Sequence, residues 1–148
     1  MTKASHLPFA TTTYVRDHCL CFATQRAART LARRFDEALR PVGLTSGQFS
    51  LLMSLNRPEA PSITAVAKLM AMDRTTLTAN LKPLERRGLV EMAIDDTDRR
   101  GRRLILTEAG RMLLSDALPI WERTHEDIDR ALAQGDPAAL RAGLRALT

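Results

Sequence analysis

A chain of 148 residues can bury one ordinary hydrophobic core, and 45% hydrophobic with 26% charged residues excludes a disordered or fibrous protein. The net charge of +5 favours a polyanionic partner without informing the fold. The N-terminal MTKASHLPFATTTYVRDH lacks the apolar core of a secretory signal, and no apolar run is long enough to span a bilayer, so a cytoplasmic protein with no membrane partner is expected.

In chain order, residues 1 to about 12 read as a loose arm rich in Ser, Thr and Pro. Tyr14 to Arg40 reads as one long helix without internal Gly or Pro, with Ala23, Ala27, Leu31, Phe35 and Leu39 forming an apolar stripe. Pro41 and Gly43 end it. Thr45 caps a second helix carrying Phe49, Leu52, Met53 and Leu55, and Asn56 to Pro61 is a loop. Ser62 caps a short helix on Ile63, Val66, Ala67 and Leu69. After a break at Ala71 and Met72, Asp73 caps a helix that runs to Arg87 and stops at Gly88.

Two short apolar stretches, 89–94 and 104–106, flank the polar run 95–103 and predict a β-hairpin. Thr107 caps a helix from Glu108 to about Ala133, with a kink expected at Pro119, and Asp136-Pro137 opens a last short helix. The fold class is therefore mainly α with a small β-hairpin wing. A helix-turn-helix followed directly by a hairpin is the winged variant of that motif.

Leu77, Leu81 and Leu84 fall at i, i+4 and i+7 and predict the buried face of the helix after Asp73. The opposite face presents Thr75, Ala79, Lys82 and Arg86, with Arg74, Thr76 and Thr78 beside it. Small polar and basic side chains on an exposed helix suit a major groove, where Arg bonds a guanine edge bidentately and Thr meets a thymine methyl or a phosphate. Taken alone, the same face would serve as the solvated side of any amphipathic helix. Pro83 removes a helical hydrogen bond at a cost of about 3 kcal/mol, and a bend is expected there.

The hairpin tip holds Arg99, Arg100, Arg102 and Arg103, cations able to reach phosphates or a minor groove. Asp95, Asp96 and Asp98 suit a structural task in the wing, pairing with an arginine or capping the turn.

The recognition-type helix and the basic wing occur together, and the sequence around them resembles the MarR family over nearly the whole chain. The resemblance is carried by Leu44-Thr45 with Gln48-Phe49, by Asp73-Arg74-Thr75-Thr76-Leu77, and by Leu84 to Leu89. The wing adds Asp98 and Arg100, followed by Leu106, Thr107 and Gly110. It implies a homodimer whose first and last helices (14–43 and 108–148) intertwine while a winged part (45–106) projects to DNA. Such a dimer implies a pseudo-palindromic operator with half-sites roughly 10 bp apart. It also implies a repressor released by a small phenolic or aromatic effector, or by oxidation.

Two cysteines, Cys19 and Cys21, stand too close for an unstrained bridge within one chain, which argues for free thiols. The stretch Leu20-Cys21-Phe22-Ala23 resembles the OhrR-type peroxide-sensing branch, in which a cysteine near the start of the first helix becomes sulfenic acid. A helix start, Arg16 and Arg26 would favour the reactive thiolate. That branch carries a tyrosine shortly after the cysteine, where Thr24 and Gln25 stand here, and no C-terminal resolving cysteine is present. Simple packing of both cysteines in a helix is the other reading.

No metal site is expected from His18, Cys19 and Cys21, whose spacing is wrong for zinc. His125 reads as a solitary exposed or interfacial histidine. The chain has no Gly-rich phosphate loop and no nucleophile elbow, so neither an enzyme nor a cofactor is expected. The alternative to a sequence-specific regulator is a nonspecific architectural DNA binder, which salt dependence and sequence preference would distinguish.

Overall fold

The computed structural model describes residues 6–132 and 134–148. Among the described residues, seven α-helices and one hairpin follow in the order α1 (Phe9–His18), α2 (Leu20–Leu39), α3 (Ser46–Ser54), α4 (Ile63–Leu69), α5 (Arg74–Arg86), β1 (Val90–Ile94), β2 (Arg102–Leu106), α6 (Glu108–Ala131) and α7 (Pro137–Arg145). A 3-10 turn over Arg40–Val42 prolongs α2 to Gly43, which takes the left-handed conformation at φ 68°.

The N-caps read from the sequence hold. Thr45 and Gln48 form a reciprocal capping box, and Ser62, Asp73, Thr107 and Asp136 each accept a hydrogen bond from the first turn of their helix. Each such cap is worth about 1 kcal/mol.

The N-terminal region differs from expectation. Residues 1–5 of the expected arm lie outside the described residues, but from Phe9 onward the chain is already helical. The long helix expected from Tyr14 is interrupted at Cys19, which is extended at φ −81° and ψ 107° and accepts a hydrogen bond on Sγ from the Phe22 amide at 3.4 Å. Neither Gly nor Pro marks this break, so helical periodicity runs straight across it. At the other end, α6 stops at Ala131, and the expected terminus at Ala133 lies outside the described residues. Helices α5 and α6 are continuous through Pro83 and Pro119.

One core joins the C-terminal half of α2 to α3, α4, α5, the hairpin and the first half of α6. Leu39, Leu52, Leu77, Leu81, Leu84 and Leu104 are among its most enclosed members. Of the expected stripe on α2, only Phe35 and Leu39 are buried in the single chain; Ala23, Ala27 and Leu31 remain open. Neither α1 nor α7 buries any residue.

The hairpin pairs Val90 with Leu106, Met92 with Leu104 and Ile94 with Arg102. It is anchored on the segment before α4, where Leu104 donates to the Pro61 carbonyl at 2.9 Å and Arg103 bridges Ser62. Helix α6 leaves the hairpin through a close approach at Gly110. A β-carbon there would stand 2.4 Å from the Leu89 carbonyl oxygen and 2.6 Å from Leu106 Cδ1.

Candidate nucleic-acid interface

Helix α5 buries Leu77, Leu81 and Leu84 and turns its other side outward, as the i, i+4, i+7 pattern requires. Arg74, Thr75, Thr78, Ala79 and Lys82 together line a shallow concavity of about 310 Å³. Thr78 is half-buried, and its hydroxyl donates to the Arg74 carbonyl at 2.8 Å. Among the described residues no acid pairs with Arg74, Lys82 or Arg86, all of which are exposed. Arg86 falls outside the concavity, one turn beyond Lys82.

Thr76 has a different position from its neighbours. Its amide and hydroxyl both donate to the Asp73 carboxylate, at 2.7 and 3.0 Å. The Thr76 amide, followed by its hydroxyl, holds the Asp73 carboxyl below the usual carboxylate range. The cap thereby fixes where the helix begins.

The four arginines of the wing divide into two pairs. Arg103 is tied inward: its Nε lies 3.0 Å from Asp95 Oδ2, and Nη1 donates to the Ala60 carbonyl at 3.0 Å. Arg102 is half-buried and donates to the carbonyls of Arg99 and Gly101. Arg99 and Arg100 are exposed, and their guanidiniums make no ion pair among the described residues.

Asp98 accepts the Arg100 amide at 3.0 Å, which turns the chain at the tip. Asp95 is buried and accepts both the amide and the hydroxyl of Thr97. Those two bonds, with Arg103 beside them, hold its carboxyl below the ordinary range.

Sequence reasoning missed several groups that position this surface. Arg87, at the end of α5, donates to the Gly43 carbonyl at 2.8 Å. The Ser46 amide donates to Asp36 Oδ1 at 2.6 Å, tying α3 to α2. Arg111 donates to the Leu106 carbonyl at 2.8 Å. The partners of Arg87 and Asp36 come from distant or separately folded segments, and no local pattern announces them.

His125 is not solitary. Its ring centre lies 4.4 Å from that of Trp121, one helical turn earlier, and 4.9 Å from that of Phe35; Trp121 in turn stacks near Phe49. Burial pushes the His125 pKa below its ordinary value, against the opposing pull of Asp129. The i, i+4 spacing of Trp121 and His125 was the available sequence signal. A cleft of about 630 Å³ opens beside them, edged by Glu122, Glu126 and the Asp129–Arg141 ion pair.

Cys19 is half-buried at its cap and Cys21 is exposed, with Gln25 Nε2 3.3 Å from its sulfur. The two cations named for it are engaged elsewhere. Arg16 pairs with Asp17, and Arg26 lies over the Phe22 ring. No cluster of metal-ligating side chains occurs among the described residues, and no described helix is long and apolar enough to cross a membrane.

A helical core, a recognition-type helix whose exposed cations carry no ion pair among the described residues, and an arginine-bearing hairpin together define a winged helix-turn-helix DNA-binding protein. The sequence profile of the MarR family matches residues 44–101. The transcriptional regulator MosR of M. tuberculosis, solved in complex with DNA, is 36% identical with a TM-score of 0.80, covering 88% of this chain and 93% of that one. The transcriptional repressor CouR bound to a 23-mer DNA duplex is 30% identical with a TM-score of 0.79, covering 97% and 99%. CouR has also been solved bound to p-coumaroyl-CoA, at 27% identity and a TM-score of 0.78 over 90% and 94% of the two chains. The organic hydroperoxide resistance transcriptional regulator of Bacillus subtilis is 28% identical over 101 residues, covering 68% of this chain and 69% of its own. This chain belongs to the MarR family and is a DNA-binding transcriptional regulator, not an enzyme.

Proposed function

We propose that the protein acts as a homodimeric repressor that grips a pseudo-palindromic operator and is released by a small aromatic effector. The observation that carries the DNA reading is the exposed face of α5, on which Arg74, Lys82 and Arg86 make no ion pair among the described residues. Arg74, Thr75, Thr78 and Lys82 would enter the major groove, Arg86 would meet the backbone, and Thr76 would set the helix start. In the wing, Arg99 and Arg100 would reach phosphate or minor groove, while Arg102, Arg103 and Asp98 would hold the tip in shape.

The dimer reading rests on apolar surface that the single chain leaves uncovered. Phe9, Val15, Leu20, Leu31, Leu140 and Leu144 are all exposed on α1, α2 and α7. Segments 14–43 and 108–148 would therefore form the dimerisation region around the winged part 45–106. Half-sites would lie about 10 bp apart.

The effector reading draws support from the cleft beside Trp121 and His125, and from the aromatic thioester bound by the related CouR. Oxidation of Cys21 is the second reading. It is favoured by the exposure of that thiol and by the likeness to a hydroperoxide-resistance regulator, and weakened by the engagement of Arg16 and Arg26.

Fluorescence anisotropy on DNA upstream of the gene tests the DNA and effector readings, with p-coumaroyl-CoA or a dilute organic hydroperoxide added in turn. The expected result is sequence-specific binding, at least about a thousandfold tighter than to random duplex, abolished by the aromatic compound in wild type and in Cys21→Ser alike. Release by peroxide in wild type alone would move the sensing role to Cys21. Equal affinity for all duplexes would make the protein an architectural binder.

A further inference from the structure

Arg87 links two parts of the molecule that pack mainly on other elements. It caps the C-terminus of α5, and its side chain crosses to the end of α2, where Nη1 donates to the Gly43 carbonyl at 2.8 Å. Gly43 closes the 3-10 turn that prolongs α2, and its left-handed backbone sets the direction of that carbonyl. A β-carbon on Gly43 would sit 3.4 Å from Arg87 Nη2, so the guanidinium lies close against bare backbone. Helix α5 packs mainly on α4 and β1, whereas α2 packs mainly on α3 and α6. Among the described residues this is the one side-chain hydrogen bond between the end of α5 and the end of α2.

We infer that Arg87 is a positioning residue that fixes the recognition helix against the dimerisation helix and so sets the half-site spacing the dimer accepts. Apolar contacts within the shared core are non-directional and tolerate small rotations. A hydrogen bond from a planar guanidinium to a fixed carbonyl is directional and weakens as the angle closes. Arg87 lies about 180° around the helix from Thr78, so it stands away from the concave face that meets DNA. Half-sites on a two-fold operator demand that both recognition helices keep one separation and one tilt. A rigid link to α2 supplies that constraint in each protomer.

The inference rests on the dimeric operator reading, and one experiment separates the two. A preferred pseudo-palindrome is first selected from randomised duplexes with the wild-type full chain. Anisotropy titrations then compare wild type, Arg87→Ala and Arg87→Lys on that duplex and on versions with one or two base pairs added to or removed from the spacer. Wild type is expected to lose at least tenfold in affinity per base pair of misfit, whereas both variants discriminate by less than threefold. The Lys variant keeps the charge, so it separates positioning from a plain phosphate contact. Wild-type discrimination in Arg87→Lys, or a uniform loss on every spacer in Arg87→Ala, would overturn the inference. A wild type indifferent to spacing would remove the two-fold operator itself, and the role of Arg87 with it. Circular dichroism melts of the Lys variant, expected to stay near wild type, guard against simple unfolding.

Discussion

Asp95 and Arg103 form the lock of the wing: Oδ2 and Nε stand 3.0 Å apart, with the carboxylate buried beneath the hairpin tip. Thr97 completes the carboxylate's shell on its other oxygen, and Arg103 carries the link onward to the Ala60 carbonyl. One ion pair thus connects the tip to the loop before α4.

The lock is sensitive to acid. Because the folded Asp95 carboxyl titrates below its unfolded value near 4, its contribution is complete above that pH and is lost as pH falls through the folded value. Asp73, lowered by its cap, behaves in the same sense. We therefore expect the melting temperature to be flat between about pH 7 and 8. It declines as pH drops below about 6.5, where the unfolded His125 takes up a proton that burial opposes in the fold, and falls further below about pH 4, with a shallower acid fall in Asp95→Asn. An identical acid limb in the variant would show that Asp95 contributes nothing to it.

Arg74→Ala and Lys82→Ala are expected to weaken operator binding while leaving the fold intact, since both side chains are exposed and unpaired among the described residues. If Arg74 reads a guanine, its loss costs about 1–3 kcal/mol and relaxes preference at one position. If Lys82 holds a phosphate, binding weakens on all sequences and the salt slope drops by about 1. Unchanged titrations for both variants would remove α5 from the interface.

The division of the wing arginines predicts two distinct phenotypes. Arg100→Ala should lower DNA affinity with an unchanged melting temperature, because its side chain makes no bond among the described residues. Arg103→Ala should lower the melting temperature, because it leaves buried Asp95 without its cation and Ala60 without a donor. Paired melts and anisotropy titrations would sink the division if the two variants behaved alike.

Gly110→Ala should be a damaging small change where α6 leaves the hairpin. The added carbon would meet backbone oxygen at 2.4 Å, which no rotamer relieves, so α6 must shift off the hairpin. Destabilisation of about 2–4 kcal/mol is expected from denaturant titration. A loss under about 0.5 kcal/mol would mean that the helix has slack to move.

Legibility in the sequence followed the distance over which each interaction acts. The caps at Thr45, Ser62, Asp73, Thr107 and Asp136 bind amides two or three residues away, so a single residue type at a helix start sufficed to place them. The buried leucines of α5 were legible because helical geometry maps spacing directly onto a face. Asp95 and Arg103 were readable as a structural carboxylate and a cation, but not as each other's partner. The break at Cys19 left no trace, since the thiol is a weak cap and no Gly or Pro stands there.

Residue order by itself determined the helices from α3 onward, the hairpin, the buried face of α5 and the family to which the chain belongs. These depend on local hydrogen bonds and on periodicity. Only the tertiary structure decided which arginines of the wing are free, that His125 packs between Trp121 and Phe35, and that Arg87 reaches Gly43 across 44 residues of chain. Such contacts depend on how separate elements are brought together in three dimensions. That juxtaposition is set by the whole core, and no short stretch of sequence encodes it.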